Sequence, residues 1–253
     1  MNFLKKNITA FVDSFKNLDI RLLYCSLYDF IGYGLIIIFF NIYQSFLTKL
    51  LVKMPSSTIL QNLDATTAEL TQVLAALKAV FFLLIFYTVI LFIFTFLIWC
   101  LFKGLIWNQV FNKKFTFKFY KKFLLVNLLW LLIWLIPIIM FFIFVKQNVL
   151  VYLLIIIFIL MIYLTYILYI KSIKERRIKK IIKDTFRVGF KKIHYFIIPI
   201  IVIVIVFLLL MQLYWLFMGL SQVVQAVIFL IIFIVFIAWT RFYLVNIVEK
   251  VSK

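Results

Sequence analysis

Six long apolar runs determine what this chain of 253 residues can fold into, because each run can cross a bilayer as an α-helix. Hydrophobic residues make up 68% of the sequence, whereas soluble globular domains are about half apolar. We therefore predict an all-α fold, a polytopic membrane helix bundle in a single integral membrane domain, 1–253. The predicted spans are 22–48, 78–102, 123–145, 149–170, 195–218 and 223–248.

The basic residues are concentrated between alternate apolar runs. Residues 171–192 carry ten Lys and Arg against Glu175 and Asp184, and a segment this basic stays on the cytoplasmic side of a membrane. Six spans with both termini on that side place 23 of the 27 Lys and Arg in the cytoplasm. We therefore predict a multi-pass protein of the cell membrane with both termini cytoplasmic. The external basic residues are then Lys49, Lys53, Lys78 and Lys146.

The net charge of +19 would suggest a nucleic-acid partner if the protein were soluble. Here the charges follow apolar runs, where they attract anionic lipid headgroups. We therefore predict membrane lipids as the partners and no nucleic acid. A partner protein with an acidic surface and a homo-oligomer both stay open. The candidate headgroup contacts are Lys174, Arg176, Arg177, Lys179, Lys180, Lys183, Arg187, Lys191 and Lys192.

The runs pair into three hairpins, each preceded by a basic amphipathic interfacial segment. Apolar residues recur at spacings of three and four over residues 3–18, which predicts a helix lying in the headgroup plane within 1–21. A frayed soluble tail is the alternative. Residues 103–122 carry six lysines and predict a bent interfacial segment. Only Lys146-Gln147-Asn148 separates the third and fourth spans, which predicts a tight antiparallel hairpin.

Residues 49–77 form the one substantial external segment. The pattern Thr66-x-x-Glu69 fits a capping box, in which the first side chain and the third following side chain cap each other's backbone. The second helix is therefore predicted to begin near Thr66. From there to Lys103 a helix is longer than the bilayer is thick, so we expect it to project beyond the outer face.

A short pattern recurs before each hairpin: DSFK at 13–16, FTFK at 115–118 and DTFR at 184–187. The chain thus reads as three units of basic segment, span, turn and span. A Phe- and Lys-rich segment such as DSFKNLDIRLL before a hairpin resembles uncharacterised prokaryotic polytopic membrane proteins. Among these is the membrane domain found beside glycerophosphodiester phosphodiesterases. The resemblance covers the layout of most of the chain, and implies neither a functional residue nor phosphodiesterase activity.

Two ionisable residues lie inside the predicted spans. Asp29 and Arg241 are each about two turns from the cytoplasmic end, on the first and last spans, and charges at such positions are costly unless they are paired. We predict that they form an ion pair. The alternative for Arg241 is that its side chain extends to the interface.

Few residues in the sequence indicate a catalytic or metal-binding site. The sequence has no HExxH, GxSxG or Gly-rich phosphate loop, and two Cys with one His give no metal-site spacing. We therefore predict a non-catalytic protein with no cofactor and no metal. Asn127 and Gln212 are candidate polar positions and Pro137 is a candidate kink. These three residues support the alternative function, a small permease or channel component.

Overall fold

A computed structural model describes residues 3–16, 20–52, 67–217 and 219–252. The described residues form helices and no strands, so the predicted all-α fold is confirmed. The helices are α1 (Phe3–Lys16), α2 (Ile20–Val52), α3 (Thr67–Val110), α4 (Phe117–Phe144), α5 (Gln147–Lys174), α6 (Ile178–Lys191), α7 (His194–Trp215) and α8 (Gln222–Ser252).

Six of these helices, all except α1 and α6, are long and apolar enough to cross a membrane. The protein is therefore a multi-pass membrane protein of six predicted spans. Helix α3 continues to Val110, beyond the predicted end of the second span at residue 102. The predicted cap Thr66 and residues 53–66 of the external segment lie outside the described residues, and α3 is described from Thr67.

The chain forms two compact units, one of residues 1–30 with 100–253 and one of residues 31–99. The smaller unit is an antiparallel pair formed by α2 and α3. Its helices are joined by a hydrogen bond of 2.9 Å between the hydroxyls of Tyr43 and Thr88. Aromatic rings stack across the same pair of helices. The prediction of one domain stays a prediction.

In the larger unit, α4 with α5 and α7 with α8 form two further antiparallel hairpins. Trp130 Nε1 donates a hydrogen bond of 2.8 Å to Thr165 Oγ1 between α4 and α5. The rings of Phe207 and Phe236 lie 5.7 Å apart between α7 and α8. Connections this short leave antiparallel packing as the available arrangement.

Helix α6 folds back against α5. Its buried face carries Thr185 and Gly189, and the hydroxyl of Tyr163 donates a hydrogen bond of 3.0 Å to the carbonyl of Gly189. A Cβ at position 189 would lie 2.1 Å from Leu164 Cδ2, so glycine permits this close approach. The apolar face of the predicted interfacial segment is therefore packed on protein.

Helix α1 packs on α8 in the same way. The buried hydroxyl of Ser14 accepts a hydrogen bond of 3.1 Å from Trp239 Nε1, and the ring of Phe11 meets the edge of Tyr243 at 5.7 Å. Lys250 donates a hydrogen bond of 2.8 Å to Asp13. Helix α1 thus packs on the end of α8, and its placement in the headgroup plane stays a prediction.

Candidate functional site

A buried charge cluster lies in the larger unit, formed by Asp29 of α2, Lys103 of α3 and Arg241 of α8. Both guanidinium terminal nitrogens of Arg241 donate to the carboxylate of Asp29, Nη1 to Oδ2 and Nη2 to Oδ1, the latter at 3.0 Å. Lys103 Nζ donates to Oδ1 at 2.9 Å. The three side chains are 1%, 9% and 3% exposed, in chain order. One carboxylate therefore joins three helices.

The structure brings together Asp29 and Arg241, the two residues that the sequence pairs, and it adds Lys103. The sequence placed Lys103 at the start of the segment that follows the second span, because a charge was taken to end that span, whereas the helix continues past Lys103. Seven residues of helix follow Lys103, up to Val110, and none of them is charged. That uncharged continuation was the available signal. One helical turn before Asp29, the thiol of Cys25 donates to the carbonyl of Ile106 at 3.8 Å, which joins α2 and α3 again.

The cluster holds two cations and one anion. A bidentate guanidinium–carboxylate pair is among the strongest of polar contacts, and Lys103 adds a second positive charge to the same oxygen. Removing the single carboxylate would leave two buried cations facing each other, so Asp29 is the residue on which the cluster depends.

The two cations of the cluster occupy similar positions along the chain. Lys103 and Arg241 each lie on the second span of a hairpin, α3 and α8. Residues 162–166 (IYLTY) and 237–241 (IAWTR) match at their Ile and Thr positions. The amphipathic helices follow the same scheme, because α6 packs on α5 of the preceding unit and α1 packs on α8 of the last unit.

The end of α5, the turn that follows it and the exposed side of α6 form a basic face, defined here by the nine candidate headgroup contacts. Eight of them are exposed, and Lys192 is half-buried. Two are held in ion pairs: Lys174 with Glu249 at 2.6 Å, and Lys180 with Glu175. The other exposed candidates are Arg176, Arg177, Lys179, Lys183, Arg187 and Lys191.

Glu175 organises the turn between α5 and α6. Its carboxylate pairs with Lys180 and accepts hydrogen bonds from the backbone N–H groups of Arg176 at 2.9 Å and Arg177 at 3.3 Å. The bond to Lys180 and those to the backbone lower the pKa of the Glu175 carboxyl to about 2. The same contact raises the pKa of Lys180. The turn is therefore held by an ionised carboxylate at neutral pH.

Two lysines of the segment 103–122 bind the carboxyl end of α5. Lys113 Nζ donates to the carbonyl of Ile173 at 3.0 Å. Lys122 Nζ donates to the carbonyls of Ser172 and Glu175, at 2.5 and 3.0 Å. The last carbonyls of a helix have no partner within the helix and carry partial negative charge. These two cations therefore stabilise a helix end.

The residues of the permease hypothesis do not form a shared site. The amide of Asn127 is buried and donates to the carbonyl of Phe123 in its own helix at 2.8 Å. Pro137 lies inside α4 and is half-buried, whereas Gln212 of α7 is exposed. The amide of Asn127 is hydrogen-bonded within its own helix, and the amide of Gln212 is exposed. These two amides therefore do not define a pathway across the bundle.

Within the part of the chain that the structure describes, no group of three or more His, Cys, Asp or Glu side chains is arranged to hold a metal. Cys25 and Cys100 are both buried, and neither is in a disulfide. Comparison with protein families, curated proteins and solved structures finds no match for this chain. Function is therefore inferred from geometry, burial and charge alone.

Proposed function

We propose that the protein is a non-catalytic, six-span protein of the cell membrane, with both termini in the cytoplasm, whose basic face binds anionic lipid headgroups. The two sides of α6 carry this proposal. One side packs on α5 at Gly189, and the opposite side presents lysines and arginines to the surroundings. Because α6 is held against α5, its cations stay at one depth along the axis of the helix bundle.

Apolar residues beside the cations favour a lipid surface over a water-exposed partner. Phe190 is 52% exposed and Ile193 is 46% exposed, and both are adjacent in sequence to Lys191 or Lys192. Aromatic and aliphatic side chains next to lysines are typical of helices that lie at the boundary between headgroups and acyl chains. Each Lys or Arg near an anionic surface contributes about 1 kcal/mol of attraction, so several on one face give a strong preference.

The experiment measures which lipids stay with the protein when it is extracted with a membrane-solubilising polymer. The variant Lys179→Gln/Lys183→Gln/Arg187→Gln removes three charges at spacings of four residues, hence along one stripe of α6. We expect enrichment of phosphatidylglycerol over phosphatidylcholine around the wild-type protein and a large loss of that enrichment in the variant. The enrichment should also fall as salt rises, because exposed charges are screened.

The matched control, Lys49→Gln/Lys78→Gln/Lys146→Gln, removes the same number of exposed lysines at the predicted external ends. This control should keep the phosphatidylglycerol enrichment. Equal losses in both triple variants would contradict the proposal. An unchanged lipid composition in the α6 variant together with the loss of a co-purifying protein would assign the basic face to a protein partner instead.

A further inference from the structure

An apolar cleft of about 350 Å³ lies between α5, α7 and α8 in the larger unit. Its walls include Ile162 and Tyr166 of α5, Ile200 and Ile203 of α7, and Phe236 of α8. Ile162 and Ile200 are 44% and 45% exposed, so the cleft opens sideways between α5 and α7. All three helices are membrane spans by length and composition. The opening of the cleft therefore faces the bilayer.

Two lysines lie one turn beyond the cytoplasmic end of this cleft. Lys171 follows the wall residue Ile167 by four residues, on the same face of α5. Lys192 precedes the wall residue Phe196 by four residues, at the turn into α7. Lys171 lies in the last turn of α5 and Lys192 lies two residues before α7, so both lysines are at the same end of the cleft. The apolar cleft thus ends at a pair of cations.

The groups that act electrostatically on Lys171 are mostly basic. Lys174 and Lys180 are among them, and each is paired with a carboxylate, Glu249 and Glu175. Asp184 is an acidic group that also acts on Lys171. A ligand with an anionic polar end and an apolar body would match both the lysines and the cleft.

The cleft opens toward the bilayer, so the molecule that fills it is chosen among the components of the bilayer. Acyl chains are as apolar as the cleft walls, so the cleft alone does not distinguish one lipid from another. The lysine pair supplies the preference for an anionic headgroup. A second copy of the chain would bring the same cations to the contact and be repelled. We propose that the cleft holds an acyl chain of an anionic phospholipid whose phosphate binds Lys171 and Lys192. This inference rests on the proposed function and gives it a specific site.

The experiment uses the full chain in nanodiscs that contain phosphatidylglycerol or phosphatidylcholine with a photoreactive diazirine on one acyl chain. After illumination, peptides that carry the label are identified by mass spectrometry. We expect labelled cleft residues on α5 and α7, with several-fold more label from phosphatidylglycerol. Lys171→Gln and Lys192→Gln should each reduce this preference about fivefold, whereas Lys118→Gln, an exposed lysine of α4, should not.

A second pair of variants tests the cleft itself. Ile203→Trp fills the cleft from its wall and should lower labelling of α5 and α7 at least threefold. Ile201→Trp makes the same change two residues away, at an exposed position outside the cleft, and should leave labelling unchanged. Equal labelling by both lipids, or labelling unaffected by the lysine substitutions, would overturn the proposal. Cross-links between two chains at Ile162 or Ile200 would also overturn it.

The result separates this inference from the proposed function. If the lipid enrichment depends on the basic face of α6 and the cleft stays unlabelled, only the cleft proposal fails. If the α6 triple variant keeps its lipid enrichment, the proposed function fails, whichever residues the diazirine lipids label.

Discussion

Asp29→Asn is the substitution that the buried charge cluster makes most damaging. The replacement keeps the size of the side chain and removes the one negative charge that faces Lys103 and Arg241. Removing one partner of a buried ion pair costs roughly 3–5 kcal/mol, because the remaining charge is left without compensation. Asp29 compensates two cations. We therefore expect Asp29→Asn to lower the free energy of unfolding by an amount at the upper end of that range.

The charge balance predicts a ranking among the single variants. Arg241→Met leaves Lys103 as a partner for Asp29 and should cost about 3 kcal/mol, near the lower end for a broken buried pair. Lys103→Met removes the excess cation and leaves the bidentate pair of Asp29 and Arg241, so it should cost about 1 kcal/mol, the value of one hydrogen bond. Replacing all three residues by Leu or Met should cost less than Asp29→Asn alone, because no charge is then left buried.

The assay is the free energy of unfolding in detergent micelles, from SDS titration and from thermal melts, for each variant and for the double variant Asp29→Asn/Arg241→Met. Residues in direct contact couple by roughly 0.5–3 kcal/mol in such a cycle. Lys118→Met is the matched exposed lysine control and should have little effect. Strictly additive losses would refute the ion pair. A loss from Lys103→Met as large as that from Asp29→Asn would refute the charge-balance reasoning.

Two further predictions concern α6. A carbon-13 NMR titration of the Glu175 carboxyl should give a midpoint of about 2 in the folded protein, against 4.5 for an unperturbed group. Because the pKa of the folded state is the lower one, the stabilisation of the turn is complete above pH 4.5 and is lost as the pH falls toward 2. Lys180→Met should raise the midpoint, and a wild-type midpoint near 4.5 would contradict the geometry. Separately, Gly189→Ala should destabilise by about 1–3 kcal/mol, since its Cβ overlaps the fully buried Leu164. Gly34→Ala has no atom within 4 Å and is the control; equal free energies of unfolding for both variants would refute the close packing of α6 on α5.

Hydrophobic length was sufficient to predict the six spans, because a run of apolar residues long enough to cross a bilayer has few other ways to fold. The similar depth of Asp29 and Arg241 was sufficient to suggest their pairing. Lys103 was missed because a single charge was treated as the end of a span, although an isolated cation stays in a helix when a carboxylate on a neighbouring helix compensates it.

Other parts of the site depend on contacts that periodicity does not reveal. The pattern of α6 shows which face is apolar, and it does not show that Gly189 permits contact with Leu164. Counting charges likewise does not separate Lys113 and Lys122, which bind carbonyls of α5, from lysines that are free to face lipid. The cleft is formed by three helices that are distant in sequence, so no single stretch predicts it.

The placement of the basic face in the cytoplasm is the claim on which the proposed function depends, and cysteine labelling in intact cells tests it directly. Cys25 and Cys100 are fully buried, so new cysteines at Lys146 and Lys179 can be compared without replacing them. A membrane-impermeant maleimide should label the variant Lys146→Cys in intact cells, and Lys179→Cys only after the membrane is permeabilised. Labelling of both positions in intact cells, or of Lys179→Cys alone, would contradict the account.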